Sequence, residues 1–199
     1  MSEPCPLARI VLASASPRRL ELLRSLGLQV EVRASGYHEP DVPGSRPIEL
    51  SAIHAGEKLT GVLAAGVPAG VPVVAADTVV DLDGTALGKP RDGDEAAAML
   101  RSLSGREHFV HTSYALAVGG RIEQRDTVTT RVRFYALTGG EIARYVATGE
   151  PLDKAGAYGI QGRAAALVES IDGDFYTVMG FPLGRFVRAL QRMGYTLPA

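Results

Sequence analysis

Short apolar runs alternate along this chain with longer segments whose apolar residues recur at helical spacing. The first run, Ile10 to Ala13, is too short for a helix and ends on the small polar turn Ser14-Ala15-Ser16, the pattern of a strand. Ser16 before Pro17 marks a helix start, because serine caps free backbone N–H groups and proline fits the first helical position. Leu20, Leu22, Leu23 and Leu26 form that helix's apolar stripe, and Gly27 closes it. A second strand is expected over Leu28 to Val32, then a loop from Gly36 to Arg46 that carries Glu39. Helical spacing resumes at Pro47, with Ile48, Leu50, Ile53 and Leu59 on or near one face. It passes Lys58 and stops in the stretch Ala64 to Pro72.

The run Val71 to Val80 is apolar and β-branched, as in a strand buried on both faces, except that Asp77 stands inside it. A turn at Asp83-Gly84 and a loop at Gly88-Lys89-Pro90-Arg91 lead to Asp92 and Glu95, spaced as a capping box for a helix that ends near Leu103. His108 to Val118 and Arg121 to Phe134 are strand-like, and Gly119-Gly120 supplies the tight turn of an antiparallel hairpin. Thr138 and Glu141 form a further capping box, opening a helix that Gly149 stops. Glu150 to Gly162 reads as irregular, Leu167 to Ile171 as a strand, and Pro182 to Met193 as a final amphipathic helix. This order predicts one α/β domain over residues 1–199, a mixed sheet covered by helices on both faces.

Bulk properties narrow the possible partners. With 46% hydrophobic and 22% charged residues the chain has ordinary globular composition, and a net charge of -1 gives no field that argues for nucleic acid or membrane. Any anion must be held by local cations. One cysteine, Cys5, excludes an internal disulfide; it lies in a proline-flanked stretch where fraying is expected. No basic start joined to an apolar run opens the sequence, and apolar stretches break well short of ~18 residues, so neither secretion nor membrane insertion is expected.

Four places carry candidate chemistry. Asp77 projects from an apolar strand, where an ionised carboxylate needs a cation, a metal or hydrogen bonds; a strand-end aspartate bonded to a loop is the bland alternative. Ser14 to Arg19 (SASPRR) puts small residues, a helix N-terminus and two guanidinium groups within one turn, a setting suited to phosphate, although two solvated arginines on a capped helix would look the same. Lys89 and Lys154 stand in stiff Gly- and Pro-containing loops that would fix an ammonium group toward a phosphate. The four histidines lack zinc-like spacing, and His108 and His111, three apart on a strand, point to opposite faces. The SASPRR segment is not a P-loop, and no Gly-x-Ser-x-Gly elbow supports a serine hydrolase.

The segments LASASPRRLELLRSLG, AADTVV, GKPRDGDEAAAMLRSLSGREH and EPLDKAGAYGIQG occur in the order seen in Maf proteins, and GDFYTVMGFPL is similar to that family's closing segment. The resemblance implies a three-layer α/β fold with an elongated mixed sheet, inosine triphosphatase-like, with two lobes around a cleft. It also implies a homodimer in the cytoplasm and cleavage of a nucleoside triphosphate between the α and β phosphates, with Mg²⁺ or Mn²⁺ as cofactor. Carried onto this chain, the catalytic proton acceptor is Asp77, and Glu39 and Asp77 are the metal ligands. An activated water would attack phosphorus. His38 departs from the family, many members of which have an aspartate there. Ser14, Arg18, Lys58, Lys89 and Lys154 are the expected phosphate-binding residues; Arg19 is a further candidate.

Three positions mark base preference in this family, and here Arg18, Thr78 and Gln161 resemble the dTTP and UTP branch rather than the branch selective for 7-methyl-GTP. A neutral Gln161 amide donates and accepts, as a pyrimidine edge requires. The expected role is clearance of noncanonical pyrimidine nucleotides, with a link to arrest of cell division. Two rival readings are a non-catalytic nucleotide-binding inhibitor of septum formation and hydrolysis of inosine or xanthosine triphosphate.

Overall fold

The computed structural model describes residues 5–40 and 42–198. Its elements in chain order are β1 (Cys5–Pro6), β2 (Arg9–Leu12), α1 (Pro17–Arg24), β3 (Gln29–Val32), α2 (Pro47–Ala64), β4 (Val73–Leu82), β5 (Thr85–Leu87) and α3 (Gly93–Leu103). There follow β6 (Glu107–Val118), β7 (Arg121–Phe134), α4 (Gly139–Val146), β8 (Val168–Asp172), α5 (Phe175–Met179), α6 (Leu183–Arg192) and β9 (Tyr195–Thr196). Short 3-10 turns occupy Glu150–Asp153, Ala155–Ala157 and Gly162–Leu167.

A seven-stranded sheet runs β3-β2-β4-β6-β7-β8, with β5 added on β4. The β2 strand is parallel to both β3 and β4, whereas β4-β6, β6-β7 and β7-β8 are antiparallel, so the sheet is mixed as expected. Its long members are the hairpin strands β6 and β7, whose turn at Gly119-Gly120 takes φ of 57° and 80°, open to glycine at no steric cost.

Side chains alternate across this sheet and meet two different covers. On one face Val11, Ala13, Val73, Ala75, Ala115 and Ala117 pack against Leu59 and Val62 of α2. The preponderance of alanine and valine there lets the helix lie close. On the other face Ile10, Leu12, Val74, Ala76, Tyr114 and Phe134 join a larger core with Leu23, Leu100, Ile142, Val178 and Phe186 from α1, α3, α4, α5 and α6. Burying each of the larger side chains, Leu, Ile, Val or Phe, stabilises by about 2 kcal/mol, which pins the register of the strands that carry them.

One consequence of the register creates the cleft. β2 ends at Leu12, opposite Val74, and β5 begins to pair only at Val80. Between them β4 is paired on its β6 side alone, and this half-covered stretch includes Asp77 and Thr78. Alternation sends Asp77 to the α2 face and Thr78 to the opposite one.

Several local expectations need correction. Ser16 is the N-cap of α1 but makes no capping bond with its side chain; Ser14 Oγ instead accepts from Ser16 N–H at 3.2 Å. Ile53 is 37% exposed, because α2 buries the stripe Ser51, His54, Ala55, Lys58, Leu59 and Val62. Asp92 does cap α3, but Glu95 accepts from Arg91 N–H, one residue before the box position. Cys5 is held in β1, parallel to β9, rather than in a frayed end. The pieces β5, α5 and the β1-β9 pair are too short to leave a periodic signature.

Candidate active site

A cleft of about 740 Å³ lies along the half-covered stretch of β4. The residues singled out in the sequence, Ser14, Arg18, Arg19, Glu39, Lys58, Asp77, Thr78, Lys89, Lys154 and Gln161, all line it. They come from six different segments. The β2-α1 turn brings Ser14 to Arg19, the loop after β3 brings Glu39, α2 brings Lys58 and β4 brings Asp77 and Thr78. The segment after β5 brings Lys89, and the 3-10 region brings Lys154 and Gln161.

At the centre stands a shared ion pair. Asp77 is 5% exposed, and its Oδ1 accepts from Lys58 Nζ at 2.6 Å. The same ammonium meets Glu39 Oε1 at 2.5 Å. One buried lysine thus compensates two carboxylates, the condition under which an ion is tolerated inside an apolar strand. Burial works against ionisation of Glu39, but the hydrogen bond and charge of Lys58, with Lys89 and His54, outweigh it and hold the carboxyl below the usual range. Beside this cluster, Tyr37 OH and His54 Nδ1 lie 3.0 Å apart. Burial, then the charges of Glu57, Asp77 and Glu39, push the Tyr37 phenol up.

The two neighbouring arginines behave differently. Arg18 reaches Asp153 at 3.3 Å, and Asp153 also accepts from Lys154 at 2.6 Å. Burial disfavours the charged form of Asp153, and its bonds and charges from Lys154 and Arg18 prevail, holding its carboxyl low. Arg18 and Lys154 therefore form one cationic edge bridged by an acid. Arg19 turns inward instead. Its Nε donates to Gly180 O at 2.8 Å, Nη1 to Ser14 Oγ at 3.2 Å and Nη2 to Thr78 Oγ1 at 3.0 Å. Burial lowers the pKa of this guanidinium, and the charges of Asp77 and Glu39 oppose the shift.

Arg19 is thus the structural tie of the cleft, a role its position beside Arg18 did not reveal. It joins the β2-α1 turn, β4 and the α5-α6 junction. Gly180 permits the last link, since it takes φ 110°, a backbone conformation that other residues rarely adopt. Thr78 continues the chain to Thr112 at 2.9 Å, which donates to Thr177 O at 2.7 Å. Ser14 Oγ accepts twice, from Ser16 N–H and Arg19, which leaves its hydroxyl hydrogen for a ligand. Gln161 is exposed and lines the cleft.

His108 and His111 do lie on opposite faces. His108 is buried against Tyr158, 2.7 Å from its hydroxyl, whereas His111 contacts Asp81 and Thr129. Neither His108 nor His111 belongs to the ion-pair cluster. Among the described residues no group of three or more His, Cys, Asp or Glu side chains gathers around one point, and no helix is long and apolar enough to cross a membrane.

Fold and site define a mixed α/β protein with a cation-lined cleft built around a buried carboxylate. A family model described as Maf-like protein matches residues 9–193. A dTTP/UTP pyrophosphatase of Pelotomaculum thermopropionicum is 45% identical over 192 residues, spanning 96% of this chain and 100% of that protein. One of Myxococcus xanthus is 49% identical over 189 residues, spanning 95% and 94%. The chain belongs to the Maf family. Among solved structures, a HAM1 protein from Coxiella burnetii superposes with a TM-score of 0.49 at 18% identity, covering 94% of this chain and 100% of that one.

Proposed function

We propose that the cleft is the active site of a nucleoside triphosphate pyrophosphatase that hydrolyses dTTP and UTP, with modified pyrimidine triphosphates, to the monophosphate and pyrophosphate. The observation that carries this reading is the buried Asp77-Lys58 pair, joined by the more exposed Glu39, inside a cleft edged by Ser14, Arg18, Lys89 and Lys154. Relatives 45% and 49% identical over nearly their whole length bear the name dTTP/UTP pyrophosphatase, and that supports the choice of substrate.

In this mechanism the triphosphate lies against the N-terminus of α1, where backbone N–H groups of the first turn lack helical partners and the helix dipole favours negative charge. Ser14 donates its hydroxyl, and Arg18, Lys89 and Lys154 hold phosphate oxygens. Phosphate takes over from Asp153 as the partner of Arg18 and Lys154. A water attacks the α phosphorus as the bond to the bridging oxygen breaks; Asp77 accepts the water's proton on Oδ2, and pyrophosphate leaves. Lys58 keeps the Asp77 carboxylate compensated throughout and binds charge developing on the phosphate oxygens.

The donor set also fits a divalent cation. Mg²⁺ is bound through one or two carboxylates together with substrate phosphates and waters rather than by an all-protein cage, and two carboxylates, Glu39 and Asp77, converge on one point at Lys58. These two residues would hold Mg²⁺ or Mn²⁺, which neutralises phosphate charge when bound. On the base side, Thr78 and Gln161, with Arg18, select the pyrimidine. We extend the reading to a cytoplasmic homodimer on the family resemblance; sedimentation velocity tests the oligomer.

The test is a panel of nucleoside triphosphates with Mg²⁺, scored for monophosphate and pyrophosphate. The wild type is expected to prefer dTTP and UTP, with Asp77→Asn reducing turnover by about 10³-fold or more. Gln161→Glu should lower pyrimidine turnover without shifting the melting temperature. If the wild type cleaves no triphosphate above the background of Asp77→Asn, catalysis at this site is rejected and a binding protein is favoured.

A further inference from the structure

We propose that Tyr37 and His54 are positioning residues that clamp the loop 34–40 onto α2 and so hold Glu39 beside Asp77. The inference rests on the pyrophosphatase reading above and adds to it a device that sets the second carboxylate. Glu39 needs one. Its side chain is 41% exposed, it lies in a segment without regular structure, and its ion pair with Lys58 is its polar contact in the cluster. A single partly exposed ion pair is a weak restraint on a loop.

The loop meets α2 along one stripe. His54, Lys58 and Gly61 stand at i, i+4 and i+7, which places them on one face of the helix. Glu39 lies on Lys58 and the Tyr37 hydroxyl on His54 Nδ1. The backbone passes over Gly61, where a Cβ would come within 3.1 Å of Ser35 O. Glycine at that point admits close approach of the main chain, so the third contact is backbone on helix. Tyr37 is half-buried and its ring lies 5.7 Å from that of His54, while His54 is 4% exposed and itself lines the cleft.

Geometry separates the Tyr37 hydroxyl from ordinary core packing. Tyr37 is half-buried and belongs to neither apolar cluster of the sheet faces, so removing its phenol hydroxyl takes one hydrogen bond from the loop and nothing from the core. Its loss should spread the positions of Glu39 and leave the folded sheet as it is.

The experiment uses the full chain with MgCl₂ and the non-hydrolysable α,β-imido-UTP, titrated by calorimetry, beside steady-state cleavage of dTTP. Tyr37→Phe and His54→Leu are each expected to raise the analogue's Kd about fivefold, the loss of one hydrogen bond's positioning. His54→Asn, whose side-chain amide can donate to or accept from the phenol hydroxyl, should recover most of the loss seen in His54→Leu. In a Glu39→Gln background Tyr37→Phe should add less than about twofold, because the residue it positions is gone. The melting temperature of Tyr37→Phe should stay within about 2 °C of wild type.

Additive effects of Tyr37→Phe and Glu39→Gln, or an unchanged Kd in Tyr37→Phe, would overturn the proposal. An Asn variant no better than Leu would do the same. A wild type that cleaves no triphosphate would instead sink the pyrophosphatase reading, so the two failures are distinguishable.

Discussion

A lysine that serves two acids is the point where one substitution costs the cleft most. Removing Lys58 would leave the Asp77 carboxylate buried with no partner, which typically costs 3–5 kcal/mol when one member of a buried pair is deleted. Lys58→Met is therefore expected to lower unfolding free energy by about 3 kcal/mol in urea titrations and to abolish pyrophosphate release. Adding Asp77→Asn should restore stability without restoring turnover, because the uncompensated charge has gone together with the base. Stability unchanged in Lys58→Met would mean that solvent, not the lysine, compensates Asp77. Asp77 was legible in the sequence as the one ion in an apolar run, and the recognised motifs supplied the cations. Its pairing with Lys58 was not legible. The two lie 19 residues apart and meet only because α2 crosses the β4 face. Nor does the spacing SPRR say which arginine turns inward, since neighbours on a helix differ by about 100° in direction.

At the scale of elements, periodicity located the strands and helices that carry enough residues to repeat a pattern. It could not place β5 or α5, of three and five residues, nor resolve the Gly-rich stretch after α4. That stretch is held by close backbone contact and by isolated buried residues, Ala157, Tyr158 and Ile160, rather than by an apolar stripe of regular period. Gly156 takes φ 66°, and a Cβ there would stand 3.0 Å from both methyl groups of Val80. Its neighbour Ala157 adopts φ 61° while fully buried. Gly156→Ala should therefore combine left-handed strain with overpacking against β4, a loss of about 2–4 kcal/mol. Because Lys154 and Gln161 flank this turn, nucleotide affinity should fall as well. The companion variant Gly156→Ala/Val80→Ala, which removes the clashing methyls, should regain part of that affinity in the same calorimetric titration. If it regains none, the contact with Val80 is not what shapes the turn.

For the molecule as a whole, acid sensitivity follows from one histidine in the larger core. His108 is 1% exposed, packed edge-on against Phe134 and Tyr158 at centroid distances of 5.1 and 5.3 Å, and its Nδ1 has no hydrogen-bond partner among the described residues. Burial pulls its pKa down to about 4. The unfolded chain binds that proton near the ordinary value of about 6.5, whereas the folded protein resists it until the lower value. Between those two values the unfolded state holds more protons, so stability falls as pH falls. The full effect of the depressed pKa would be a loss of about 2 kcal/mol from pH 7 to pH 5. His108→Leu removes the titration together with the bond to Tyr158, so its absolute stability is uninformative while its pH slope is decisive. Urea unfolding at pH 7 and pH 5 should show the wild type losing about 2 kcal/mol more than the variant. Equal losses would assign the acid sensitivity to groups outside the core. Because Tyr158 both bonds His108 and lines the cleft, protonation that opens this part of the core should also weaken nucleotide binding. Wild-type affinity for α,β-imido-UTP is expected to hold between pH 7 and pH 5, where the folded histidine stays neutral, and to drop only as the pH nears about 4.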